Sequence, residues 1–120
     1  MAVRVGINGF GRIGRLVYRA IRAHHAGRLH VLAVNDVGDP AVMTQLLKHD
    51  TNYGRFPGDV SRTADGFLAD GEHVRFLAER DPARLPWKAL DIDVVVEATG
   101  LFRDAGTRAW HGRRARRGDR

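Results

Sequence analysis

The sequence predicts an α/β fold: a doubly wound, mostly parallel sheet, incomplete, with a small antiparallel hairpin insertion. Three features predict it. An apolar strand runs directly into a glycine turn and a helix at residues 2–22, a second apolar strand ends in Asn35-Asp36, and a β-branched run occupies residues 93–99. Strands of this kind are covered on both faces, as in parallel sheets flanked by helices.

Val3, Val5 and Ile7 define the first strand, which ends at Asn8 and meets Gly9-Phe10-Gly11-Arg12-Ile13-Gly14. A G-x-G-x-x-G where a strand hands over to a helix binds a dinucleotide's pyrophosphate. Gly9 permits the tight turn, Gly11 lets main chain approach phosphates without an intervening Cβ, and Gly14 lets the helix pack close to the strand. The helix presents its N-terminal amides and positive dipole end to the anion. Six residues of this type also make ordinary turns, so the context matters. Ile13, Leu16, Val17, Ala20 and Ile21 follow helical spacing and predict the apolar face, with Arg12, Arg15, Arg19 and Arg22 on the remainder and Gly27 as the stop.

Leu29–Val34 reads as the second strand. Asp36 follows Gly14 by about 20 residues, the place from which a carboxylate takes the ribose hydroxyls of NAD; a cap or turn role is the plain alternative. Asp39-Pro40 starts a second helix, Pro40 to Lys48, carrying Val42, Met43, Leu46 and Leu47. Residues 49–57 read as a loop. Asp65-Gly66 and Asp70-Gly71 are hairpin signals between short strands at Val60–Thr63, Phe67–Ala69 and His73–Leu77. A helical turn at Ala83–Leu85 leads to Pro86-Trp87, and Asp93–Gly100 supplies a central parallel strand.

Composition narrows the function. Cysteine is absent from the 120 residues, which excludes disulfides, thiolate metal sites and a cysteine nucleophile within the chain. No apolar stretch reaches the ~20 residues of a membrane span, and with a strand at the N-terminus no signal peptide is expected, so the cytoplasm is the expected location. Five of the six net positive charges fall in residues 103–120, which hold seven arginines against two aspartates. Residues 1–105 therefore form the expected nucleotide-binding domain and residues 106–120 a basic, aperiodic tail expected to be disordered. Arg113, Arg114, Arg116 and Arg117 near Trp110 would support only weak, salt-sensitive contact with nucleic acid. His24, His25, His30, His49, His73 and His111 form no cluster of catalytic or metal-binding spacing and read as solvent-facing or capping residues.

Several motifs in order resemble the N-terminal NAD-binding domain of the phosphorylating glyceraldehyde-3-phosphate dehydrogenase family. They are Asn8-Gly9-Phe10-Gly11-Arg12-Ile13-Gly14-Arg15, Leu47-Lys48-His49-Asp50-Thr51 with Gly54-Arg55-Phe56, Glu79-Arg80-Asp81-Pro82, Leu85-Pro86-Trp87, and Glu97-Ala98-Thr99-Gly100-Leu101-Phe102. A sister family acting on erythrose 4-phosphate shares much of this pattern. The resemblance implies a Rossmann-type fold with NAD as cofactor, favoured over NADP because Asp36 repels a 2′-phosphate. It implies that Arg12 and Ile13 offer backbone amides to the pyrophosphate while Asn8, Gly9 and Gly11 shape the turn. Asp36, with Asn35 beside it, would hold the adenosine ribose, and Arg80 would lie along the adenine. Thr99, Gly100 and Phe102 would sit at the carboxyl end of a parallel strand. For Glu79-Arg80 a solvated charge pair, and for Thr99-Gly100 a plain strand end, remain the structural alternatives. The family is homotetrameric and uses a cysteine thiolate on a later loop; neither that loop nor the substrate domain is expected in these residues, so the chain alone is expected to be inactive. A shift of reading frame after about Arg103 would account for the loss of pattern and the arginine excess.

Overall fold

The computed structural model describes residues 2–50 and 54–99. The elements run β1 (Val3–Asn8), α1 (Arg12–His24), β2 (Leu29–Asn35), α2 (Pro40–Lys48), β3 (His49–Asp50), β4 (Gly54–Arg55), β5 (Val60–Arg62), β6 (Gly66–Ala69), β7 (Glu72–Leu77), a 3-10 turn (Pro82–Arg84) and β8 (Val94–Glu97). Six strands form one sheet in the order β5-β6-β7-β2-β1-β8. The four strands from β7 to β8 are parallel neighbours, and β5, β6 and β7 pair antiparallel. The expected antiparallel hairpins are present, and β7 carries them into the main sheet by pairing parallel with β2. Within residues 49–57, expected to be loop, β3 and β4 form a two-stranded antiparallel ribbon.

One face of the sheet is covered by α1 and α2. Its core centres on aromatic rings: Phe10 stacks on Phe67 with centroids 5.9 Å apart, and Tyr18 meets Phe67 edge-on at 5.4 Å and stacks on Phe56 at 6.1 Å. Offset and edge-to-face rings of this kind add to the area they bury. These rings reset the helix face. The spacing of aliphatic residues predicts a stripe through Ile13 and Ala20, but the buried positions are Gly14, Tyr18 and Ile21, and Ile13 is 58% exposed. Tyr18 decides the rotation, because the antiparallel strands bring Phe67 over its ring. As a result Arg19 and Arg22 are half-buried and paired. Arg19 donates to the Gly54 carbonyl at 2.9 Å, and Arg22 pairs with Glu72 at 3.2 Å. In α2 the buried positions are Met43, Thr44 and Leu47, while Val42 and Leu46 face out. Helix α1 stops at His24 rather than at Gly27, its end closed by the His25 amide on the Ile21 carbonyl.

The opposite face is covered without a helix of any length among the described residues. Trp87, Leu85, Ile92 and Val95 pack on Ala33. Gly6 makes this possible: a Cβ there would stand 2.6 Å from the Trp87 ring. Arg4 ties this segment to β1 by donating from Nε to the Asp91 carbonyl at 2.9 Å and from Nη2 to the Leu90 carbonyl at 3.1 Å.

The two Asp-Gly pairs have different roles. Asp70 and Gly71 both adopt positive φ, 51° and 83°, as a two-residue hairpin turn requires. Gly66 does not form a turn: it is the first residue of β6, where a Cβ would meet the Val74 carbonyl oxygen at 1.9 Å. It is glycine for close approach. β8 is the outermost strand on its side among the described residues, and Val94 there is 40% exposed. No described helix is long and apolar enough to cross a membrane.

Candidate functional site

The carboxyl ends of β2, β1 and β8 open onto a cleft of about 310 Å³. Asn8, Gly9 and Gly11 form its floor, Asn35, Asp36 and Val37 one side, Ala98 and Thr99 the other, and Glu79, Arg80, Pro82 and Leu85 close it beyond β7. This is where open α/β sheets place their ligands.

The glycine turn has the geometry that its sequence predicts. Gly9 sits at φ 101° with its Cα side pressed on the β8 backbone, so that a Cβ would lie 2.7 Å from the Thr99 nitrogen. At Gly14 a Cβ would be 2.0 Å from the Gly9 carbonyl oxygen, which is the helix-to-turn contact that only glycine permits. At Gly11, the N-cap of α1, nothing among the described residues lies within 4 Å of a Cβ position. The helix therefore opens onto the cleft, with the backbone of Arg12 and Ile13 at its first turn. Arg15 supports the turn from below, its Nη1 donating to the Phe10 carbonyl at 3.2 Å. Burial is the main cause that lowers its pKa below the ordinary guanidinium value, and the neighbouring Arg12 and Arg19 add to this against Asp50 and Asp36.

Asp36 lies directly opposite. Its Oδ2 accepts from the Phe10 amide at 2.8 Å and its Oδ1 from the Gly38 amide at 2.9 Å. The carboxylate thus faces the cleft while held by two backbone donors, one of them inside the glycine turn. Arg80 is exposed at the rim. Of the sequence-predicted site residues, the structure brings Asn8, Gly9, Gly11, Asn35, Asp36, Arg80 and Thr99 into the cleft wall, and Arg12 and Ile13 to its edge. Gly100 and Phe102 lie outside the described residues, as do the basic tail and His111.

Two participants are not legible as site residues from sequence. The Phe10 amide is one; any residue type at position 10 would supply it. The other is Glu97, whose Oε1 accepts from Asn8 Nδ2 at 3.0 Å and whose Oε2 accepts from the Thr99 amide at 3.0 Å and from the Thr99 hydroxyl. A lone carboxylate ending a Val-Val-Val run is the available signal. The remaining histidines are scattered: His30 meets Glu72 at 3.2 Å and His73 meets Asp65 at 2.8 Å, on different strands. Among the described residues no group of three or more His, Asp or Glu could hold a metal ion.

Comparison with known proteins agrees with this geometry. The family described as glyceraldehyde 3-phosphate dehydrogenase, NAD binding domain, matches residues 3–105. Glyceraldehyde-3-phosphate dehydrogenase 1 of Streptomyces avermitilis is 52% identical over 111 residues, 92% of this chain and 33% of the relative. The Thermotoga maritima enzyme of that name is 48% identical over 101 residues, 84% of this chain and 30% of the relative. The Pseudomonas aeruginosa enzyme is 46% identical over 112 residues, 92% of this chain and 34% of the relative. The chain thus spans about a third of the length of the relatives it matches. With its sheet order, its glycine turn and the match across residues 3–105, the chain belongs to the NAD-binding domain family of glyceraldehyde 3-phosphate dehydrogenase.

Proposed function

We propose that the cleft above β2, β1 and β8 holds NAD, with the residues of this chain supplying binding and orientation. The residues present fit the cofactor. A diphosphate needs main-chain donors and no side chain in the way, and the open space at Gly11 ahead of α1 meets both needs. This is the observation that carries the reading. The amides of Arg12 and Ile13 take the pyrophosphate, Asp36 accepts from the adenosine ribose hydroxyls, and exposed Arg80 lies along the adenine. Thr99 lines the opposite wall of the cleft. Asp36 sets the preference for NAD over NADP, since a 2′-phosphate there would face a carboxylate already committed to two amides.

The reaction of the relatives is NAD-dependent oxidation of an aldehyde phosphate, and this chain contributes its cofactor-binding part. When bound, NAD supplies a hydride acceptor. The thiolate that the family uses as nucleophile has no counterpart among these residues, because the sequence holds no cysteine. Calorimetric titration of the chain with NAD and NADP tests the reading: NAD binds, and NADP binds at least about tenfold more weakly, roughly 1.4 kcal/mol. Equal affinity for both removes the role given to Asp36, and the absence of any NAD binding removes the assignment of the cleft.

A further inference from the structure

Residue 10, in the middle of the glycine turn, is held at both of its backbone groups by side chains. Its amide donates to Asp36 Oδ2 at 2.8 Å, and its carbonyl accepts from Arg15 Nη1 at 3.2 Å. Its ring is fully buried in the aromatic core, which removes the remaining freedom to turn. Helix geometry explains the second contact. Arg15 is the fourth residue of α1, and helical side chains lean toward the N-terminus over the turn before them. The Arg15 amide bonds the Gly11 carbonyl at 2.9 Å, while its guanidinium reaches the carbonyl one residue earlier.

The Phe10 carbonyl and the Gly11 amide belong to one peptide group. Such a group is planar and trans, so its C=O and N–H point opposite ways. Gly11 lines the cleft, and neither Phe10 nor Arg15 does. With the carbonyl drawn to Arg15, the Gly11 N–H is turned away from Arg15 and to the cleft, where it has no acceptor among the described residues. The charge of Arg15 fits the same place. Arg15 is half-buried, and its Nε is buried without a partner among the described residues. Burial and repulsion from Arg12 and Arg19 outweigh the attraction of Asp50 and Asp36. A cation that its own neighbours do not compensate, beneath a main-chain donor with no acceptor, is matched to an anion.

We propose that Arg15 is a positioning residue for the diphosphate of the cofactor: through the Phe10 carbonyl it aims the Gly11 amide into the cleft, as a third main-chain donor beside those of Arg12 and Ile13. The inference rests on the cleft being the NAD site. It adds a division of labour at residue 10, where Asp36 holds the amide and also meets the ribose, while Arg15 holds the carbonyl and serves the diphosphate. A ligand without phosphate therefore has no use for Arg15.

The test follows 15N–1H spectra of the full chain titrated with adenosine, ADP and NAD. In the unsubstituted chain the Gly11 amide signal moves with ADP and NAD and stays in place with adenosine. Arg15→Met keeps the aliphatic stem and deletes the guanidinium. It weakens ADP and NAD about tenfold, changes adenosine by less than about threefold, and abolishes the Gly11 response. Arg15→Lys keeps the charge without the fork that reaches the Phe10 carbonyl, so it regains at most part of the ADP affinity and leaves Gly11 silent. Should Arg15→Met not fold, Arg15→Lys carries the comparison by its silent Gly11 and its loss confined to ADP and NAD. Equal loss of adenosine and ADP is the mark of a purely structural role and overturns the inference. A Gly11 amide indifferent to ADP in the unsubstituted chain overturns it too, as does an Arg15→Lys variant that matches the parent. If the unsubstituted chain binds no NAD, the NAD reading of the cleft falls and this inference with it; if it binds NAD and both variants match it, Arg15 alone is wrongly placed.

Discussion

The backbone amide of Phe10 donates to Asp36 Oδ2 across 2.8 Å, so the carboxylate assigned to the ribose also fastens the glycine turn. Residue 36 at the end of β2 and residue 10 after β1 are neighbours because the two strands run parallel with Asn8 opposite Asn35. One side chain therefore serves both the shape of the anion site and the selectivity for the sugar.

Asp36→Ala is expected to damage both. The Phe10 and Gly38 amides lose their acceptor; the part-buried Phe10 donor costs about 1–3 kcal/mol of stability, while the exposed Gly38 amide turns to water. Urea unfolding measures that loss, and NAD affinity falls in parallel. Asp36→Asn keeps one acceptor oxygen, so its stability lies between the two. A variant as stable as the parent would mean that the turn holds its shape without the carboxylate.

Gly11 and Gly14 separate folding from binding. At Gly14 an added Cβ would lie 2.0 Å from the Gly9 oxygen, a backbone atom that cannot swing aside. Gly14→Ala is therefore expected to lose most of the chain's stability, of the order of 3 kcal/mol or more. At Gly11, φ is −79° and the Cβ meets nothing within 4 Å among the described residues. Gly11→Ala should melt within about 2 °C of the parent, since exposed substitutions stay near ±0.5 kcal/mol, while NAD binding drops because the methyl occupies the phosphate's approach. Circular dichroism melts and NAD titrations on both variants check this contrast.

Tyr18 carries a hydroxyl that is buried and has no hydrogen-bond partner among the described residues. Burial is the main cause raising its pKa well above the ordinary 10, with the Glu72 and Asp70 charges adding to it and Arg22 opposing. A phenol whose folded pKa is raised contributes fully below pH 10, and that contribution is lost as pH rises further, because the unfolded chain then releases the proton first. Tyr18→Phe removes the unpaired group while keeping the stacked ring, so it is expected to be neutral or stabilising by about 1 kcal/mol. It should also flatten the fall in melting temperature above about pH 10. A clear loss of stability would show that the hydroxyl is satisfied in solution.

Asp65 accepts a hydrogen bond from His73, which holds its carboxyl below the ordinary 3.8, and Thr63 adds a second donor. A depressed carboxyl stabilises the hairpin above that ordinary value, and the benefit disappears as pH falls through the lowered one. His73→Ala should therefore reduce the melting temperature slightly near pH 6 and leave it unchanged near about pH 2. Because the pair is exposed, the difference shrinks further in about 1 M salt.

Trp87 fills the second face against Gly6, where a helix would lie in a fully wound sheet. Trp87→Ala is expected to cost about 3–5 kcal/mol, read by denaturant unfolding. Gly6→Ala should also destabilise, because its methyl would enter the ring at 2.6 Å. If Gly6→Ala is neutral, Trp87 has another place to go.

Residue order alone is enough to establish the βαβ frame, the carboxylate after β2 and the need for glycine at 9 and 14, because these follow from backbone sterics and from the short-range succession of strand, turn and helix. It also carries the family pattern. What it leaves open depends on neighbours far away in the chain. The face that α1 buries is set by Phe67 meeting Tyr18, Gly66 serves the Val74 carbonyl rather than a turn, and the hairpins join the main sheet because β7 pairs with β2. Glu97 becomes part of the site only through the register that sets it beside Asn8, 89 residues away. Periodicity records which residues are apolar along one element; which of them meet, and which polar groups are left to satisfy one another, is settled only when the strands pack side by side.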